Sequence, residues 1–459
     1  MGVSIAVRDL PHSYDAAVQL IREFDVLLHD TWRLWRRFLP QVGTWLVLGW
    51  LVYIACLLTS ATLGNTYGAL GSVVFVLGVT ANVVSVIFAI HALKPGLRTV
   101  ELVTATGGSL SGSTSIPDAV LTPERRIDVA ILTVGPVLGV YAVWAIVDTM
   151  ISDGLVWNTI IRSFWGVGEF SISRRSDDLW FYLVMGGVAL VARLVYGRLV
   201  RRLHSPWWKL PLVFLEGLWV FATFFIVLLG LRALRNWVNE RAFWRQGLHA
   251  WHGFLEWLPE IRLPFDLTLP EALQRVSIWL TERFLPGLWQ GIALPLVWLA
   301  IVAIVFGWRE FRARDLLTQT LRERADEVSS GGGGARRLGP LVAILTVDLR
   351  DKWLPLLHAL RLIWRSGPYV LGAYLVLSAL LEAGSWALHA NLSRAFSADT
   401  QENVLRSFNA VDLIQHLVVV SLSVCLYTAA FDRGLADAAG LTGDAPESDQ
   451  PATQGVKVQ

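Results

Sequence analysis

Long apolar stretches alternate with short polar connections along nearly the whole chain. A helix rising about 1.5 Å per residue needs about 20 apolar residues to cross ~30 Å of hydrocarbon. Eight stretches reach that length: 42–62, 68–93, 128–150, 179–200, 210–233, 287–307, 369–390 and 410–431. They predict an all-α, polytopic integral membrane protein of about eight transmembrane helices. The third and sixth stretches contain Pro136 and Pro295. Both are read as kinks, because neighbouring helices in a bilayer can satisfy the carbonyls that proline leaves unpaired.

Between the spans the apolar positions fall on one helical face instead of all round. Over 14–39, Val18, Ile21, Leu28, Trp32, Trp35 and Leu39 recur at spacings of three, four or seven, beside basic residues. This predicts an amphipathic helix that lies on an anionic leaflet or packs on the protein's own cytoplasmic face. In the connection 234–286, Trp237, Trp244, Leu248, Trp251, Leu255 and Leu258 share a face. A second helix is expected from Pro270, since proline suits the first helical turn, with Leu273, Val276, Leu280 and Phe284 aligned. Surface helices are thus expected on both faces of the membrane.

These elements divide the chain into an N-terminal amphipathic helix (1–41), six spans with their outer loop (42–307), cytoplasmic helices (308–368), a final two-span hairpin (369–431) and a tail (432–459). "SSGGGGARRLGP", 329–340, is a flexible linker by composition. The tail is polar and rich in small residues, and is expected to be disordered. "LLHDTWRLWRR" before the first span resembles "LLHALRLIWRS" before the seventh, and "VVSVIFAIHALKPGL" aligns loosely with "SLSVCLYTAAFDRGL". A worn repeat would produce this, as in transporters built from repeated halves. Chance likeness between apolar segments would also produce it.

Composition agrees with a membrane environment. Apolar residues make up 54% of the 459 and charged residues 17%, against about 25% charged in soluble domains. The 22 tryptophans gather near the ends of apolar runs, where an amphipathic ring meets the interface. Arg33, Arg36 and Arg37 precede the first span, and further basic clusters follow the second, fourth and sixth. The positive-inside rule then places both termini in the cytoplasm. The preference for Arg over Lys suggests a GC-rich bacterial genome and hence a bacterial inner membrane. No cleavable signal peptide is expected, because acids and bases mix through the first ~40 residues. The net charge of +2 gives no field for nucleic acid. Cys56 and Cys425 lie within apolar runs and are read as buried free thiols.

Charges inside the spans are costly and normally find partners. Arg193 and Glu216 are equidistant from a turn centred between His204 and Ser205, so they reach the same depth of one hairpin. A structural ion pair is the expectation, with a proton or ion site at Glu216 as the sharper alternative. Glu382 and His416 are symmetric about residue 399, with Asp412 one turn from His416 and Ser385 and Gln415 near by. This cluster is the candidate functional site: a proton relay, or polar glue for the last hairpin. Asp148 could join either arrangement.

Other chemistry is poorly represented. His249 and His252 offer two metal ligands with no third at metal spacing, so no metal is expected. Asp177 and Asp178 stand at a predicted helix start, where the dipole favours acids. No phosphate-binding loop, nucleophile elbow, H-E-x-x-H or C-x-x-C is present, so neither cofactor nor catalytic residue is assigned. The expectation is a non-enzymatic protein that supports an envelope or membrane complex, with the bilayer, protein partners or a second copy as contacts. Anionic lipid is expected at Arg33, Arg36 and Arg37. The alternative is a transporter or channel for a small solute, ion or lipid, coupled through Glu382, His416 and Asp412.

Overall fold

The computed structural model describes residues 12–64, 67–98, 123–143, 150–152, 154–156, 159, 178–200, 206–259, 261–263, 267–306, 368–396 and 410–438. These residues are almost wholly helical, with one antiparallel ladder of two residues per strand, β1 (Arg262–Leu263) and β2 (Leu267–Thr268). Among them, seven helices are long and apolar enough to cross a membrane, making this a multi-pass membrane protein. The expected third span, 128–150, is helical over Pro123–Val143, and residues 144–149 lie outside the described set. The linker 329–340, Asp148 and the proposed repeat unit before the seventh span also lie outside it.

The first expectation to be corrected is the boundary at residue 41. Helix α1 (His12–Gly64) runs unbroken for 53 residues, so the predicted surface helix and the first span are one rod. Pro40 sits inside it and removes one backbone donor without ending the helix. The Thr44 hydroxyl donates to the Pro40 carbonyl at 2.6 Å. Leu27, Leu34 and Phe38 on this N-terminal part are buried, whereas Ile21, Leu28 and Trp32 are exposed.

Helix α2 (Gly68–Ala92) returns against α1 and ends in a short 3-10 turn, Lys94–Gly96. Helix α3 (Pro123–Val143) follows. Helices α4 (Leu179–Val200) and α5 (Leu210–Asn239) form a hairpin around the turn Pro206–Lys209. Helix α5 outruns its predicted end, so Trp237 belongs to it and not to the outer amphipathic helix. That helix, α6 (Ala242–Trp257), starts after a break at Glu240 and Arg241.

A second surface helix was expected from Pro270, and it too proves continuous with the span behind it. Helix α7 (Leu269–Trp279) starts at a capping box in which Thr268 and Glu271 satisfy each other's backbone donors. The helical path continues through wide π turns at Leu280–Phe284 and Trp289–Ala293, with α8 (Leu285–Leu288) between them, into α9 (Leu294–Val305). Helix α10 (Pro368–Ala395) and a helix containing the π turn His416–Val420 and α11 (Ser421–Ala438) form the last pair. The tail expected to be disordered from 432 is therefore helical to Ala438.

Small residues set the helix spacing, as expected where lipid supplies no hydrophobic drive between helices. A Cβ at Gly49 would collide with Ser85, and one at Gly78 with Cys56, so α1 and α2 meet along glycines. A Cβ at Gly217 of α5 would collide with Thr80 of α2. Aromatic rings fill the other half of the core. Trp298 of α9 stacks on Tyr427 of α11 at 5.5 Å and meets Tyr141 of α3 edge-on at 5.9 Å. Tyr374 of α10 contacts Tyr427 and donates its hydroxyl to the Pro295 carbonyl at 2.6 Å.

Candidate functional site

In the α4–α5 hairpin, Arg193 Nε lies 2.6 Å from Glu216 Oε2. Glu216 is buried, and Arg193 is one-fifth exposed. Counting puts the midpoint between them at residues 204 and 205, next to the Pro206–Lys209 turn. Both helices here are apolar nearly all round, so each charge finds its partner across the hairpin and not in water. Tyr182 of α4 and Phe225 of α5 stack at 4.4 Å and 8° on the same interface. They fix the rotation of the two helices about their axes, which the sequence left open.

The last hairpin arranges its polar groups differently from the expected relay. Glu382 of α10 is exposed, and among the described residues its carboxylate makes no hydrogen bond. Ser385 turns back to its own helix and donates to the Glu382 carbonyl at 2.8 Å. His416 opens the π turn, and its Nε2 is buried with no hydrogen-bond partner among the described residues. The imidazole that reaches across is His389, whose Nδ1 lies 2.6 Å from Gln415 Oε1. Asp412 is within Coulombic range of the same His389, while Glu382 is in range of Tyr427.

The register explains this rearrangement. Midway between His389 and Gln415 is residue 402, not 399, so Glu382 lies level with residues C-terminal to His416. His389 is seven residues beyond Glu382, two turns along the same helix face, and takes its place opposite Asp412. The structure therefore groups His389, Asp412 and Gln415, and leaves Glu382 and His416 outside the group. His389 escaped the sequence reading because the assumed turn centre placed it nearer the interface.

A second polar group joins the two ends of the described chain. Asp30 of α1 pairs with Arg98, which follows the 3-10 turn. The Arg98 backbone N–H donates to Asp432 Oδ2 of α11 at 2.7 Å. Arg433 holds Glu23 of α1 with two bonds, from Nε at 3.1 Å and an Nη at 2.9 Å. Above them the Trp35 indole N–H donates to Ser421 Oγ at 2.9 Å. This clamp ties α1 to α11 through Glu23, Asp30, Trp35, Arg98, Ser421, Asp432 and Arg433, none of which the sequence reading paired.

Beside the clamp, α1 opens a cleft of about 380 Å³ lined by His29, Trp32, Arg33, Arg36 and Arg37. Among the described residues no acidic side chain lines it. Arg33 is held at its rim, one Nη donating to the Gly96 carbonyl at 3.4 Å.

The remaining candidates carry little chemistry. Asp178 Oδ1 accepts from the Phe181 N–H at 3.1 Å, an N-cap for α4, and Asp177 lies outside the described residues. His249 is exposed on α6, and the His252 side chain lies outside the described set. Among the described residues no three metal-ligating side chains gather. No protein-family model matches the chain, and neither a curated protein nor a solved structure does.

Proposed function

We propose that this chain is a non-enzymatic scaffold or accessory subunit of a complex in a bacterial inner membrane, with both termini cytoplasmic. The observation that carries the reading is helix α6. Among its described side chains Leu255 alone is buried. Phe243, Trp244, Trp251, Phe254 and Trp257 are exposed, the last at 79%, and together form an aromatic surface. Aromatic residues are the side chains that concentrate binding energy at protein interfaces. At the other end of the bundle, Arg33, Arg36 and Arg37 supply contact with anionic headgroups.

Photo-crosslinking from Trp244 and Trp257, in membranes and in mild detergent, tests this reading. A defined partner or a second copy is the expected product. A monodisperse monomer that crosslinks only to lipid would overturn it.

A second reading, a secondary transporter or channel, is favoured by one feature. His389, Asp412 and Gln415 gather beside a π turn that begins at His416. Such turns often mark functional sites in helices. Flux across proteoliposomes that is abolished by His389→Gln, with folding intact, would select this reading.

A further inference from the structure

We infer that the cleft on α1 is a binding site for a phosphate group, occupied by the headgroup of one anionic phospholipid. The inference rests on the contact with anionic lipid proposed above and narrows it to a defined pocket. Residues 29, 32, 33, 36 and 37 recur at helical spacing, so the cleft is one stripe of α1 about 12 Å long. Three guanidiniums, an imidazole and an indole line it. Guanidinium groups offer paired N–H donors that match phosphate oxygens, and they do so with charge assistance.

Three observations separate this cleft from a merely basic surface. First, the side chains border an open cleft of about 380 Å³, roomy enough for a phosphate group. Secondly, the Arg33 Nε is buried and has no hydrogen-bond partner among the described residues, although the same guanidinium is anchored to the Gly96 carbonyl. A buried unpaired donor is costly, and a turn of the Arg33 guanidinium towards the cleft would let a phosphate oxygen satisfy it. Thirdly, the aromatic wall is fixed in place. Trp32 stacks on Trp35 at 5.0 Å, and Trp35 is pinned by its bond to Ser421 of α11. The acid nearest in sequence, Asp30, is engaged by Arg98 and does not line the cleft.

Depth names the source of the phosphate. The first apolar run begins at residue 42, five residues after Arg37. That separation is about 7.5 Å along the helix, which brings the Arg36–Arg37 end of the cleft to the outer edge of the headgroup layer. Tryptophan at the cleft wall suits the same layer.

Native mass spectrometry of the full chain in detergent tests the site, with phosphatidylglycerol, phosphatidylcholine and soluble glycerol phosphate added in turn. One phosphatidylglycerol should be retained per chain, at least tenfold more than phosphatidylcholine. Arg36→Gln, at an exposed position that should not disturb folding, and Arg33→Gln should each reduce retention about tenfold. Arg198→Gln, which lies outside the cleft, should not. Protection by glycerol phosphate at equal concentration would keep the phosphate site and assign it a soluble ligand. Equal losses from Arg198→Gln and Arg36→Gln would overturn the site and leave only diffuse attraction to anionic lipid. The absence of any preference for phosphatidylglycerol or glycerol phosphate would overturn both the site and the broader lipid contact.

Discussion

Arg193 and Glu216 meet at 2.6 Å across one hairpin, with the carboxylate buried and the guanidinium one-fifth exposed. In a span a lone charge must thin the bilayer, draw in water or reach the interface. A pair avoids that cost provided both partners are present. Removing one leaves the other stranded, whereas removing both leaves an apolar interface.

Stability should follow that asymmetry. Glu216→Gln or Arg193→Gln should each destabilise the protein by about 3 kcal/mol, and Arg193→Met with Glu216→Met should recover most of the loss. Unfolding in mixed micelles measures it. If the double variant is as unstable as either single one, the pair is more than structural, and the proton- or ion-site reading of Glu216 gains.

The glycines divide into two groups by what surrounds them. Gly49 and Gly217 face Ser85 and Thr80 at distances that admit no Cβ, while Gly230 on the same helix as Gly217 meets nothing within 4 Å. Gly217→Val should therefore destabilise by about 1–3 kcal/mol through overpacking. Gly230→Ala should be neutral or stabilising by up to about 1 kcal/mol, because alanine favours the helix. Thermal unfolding of the two variants in one detergent checks the contrast. Equal effects would mean that α2 and α5 are not packed as closely as Thr80 and Gly217 indicate.

Much of this architecture was legible in the sequence because hydropathy and length decide what crosses a bilayer. The pairing of Arg193 with Glu216 was legible too, since a short turn fixes depth by counting. Three things were not. The change from an amphipathic to an all-round apolar pattern near residue 41 read as a boundary, yet a change of pattern breaks no backbone bond, and α1 continues through it and through Pro40. The clamp of Glu23, Asp30, Arg98, Asp432 and Arg433 brings together residues more than 300 positions apart, and no periodicity records that. Asp432 and Arg433 were also hidden by a tail whose composition argues for disorder, although α11 carries them as helix. The cleft was half visible: its three arginines and Trp32 were singled out on the predicted helix 14–39, but no periodicity joined His29 to them.

The last hairpin shows how a small error in register moves a site. Counting outward from residue 399 pairs Glu382 with His416, but the observed bond between His389 and Gln415 shifts the centre to 402. A π turn at His416–Val420 lies on the same stretch, where one more residue per turn alters which side chains face α10. The consequence for mutagenesis is a reversal of the expected ranking. His389→Ala should cost about 1 kcal/mol, the worth of a hydrogen bond between membrane helices, and Gln415→Ala about the same, with the double variant no worse than either. Glu382→Gln should change stability by less than either, since its carboxylate has no hydrogen bond among the described residues. A double-mutant cycle on His389 and Gln415, read by unfolding in micelles, measures the coupling. Additive losses would show that the 2.6 Å contact contributes nothing, and a larger loss at Glu382 would return that residue to the centre of the site.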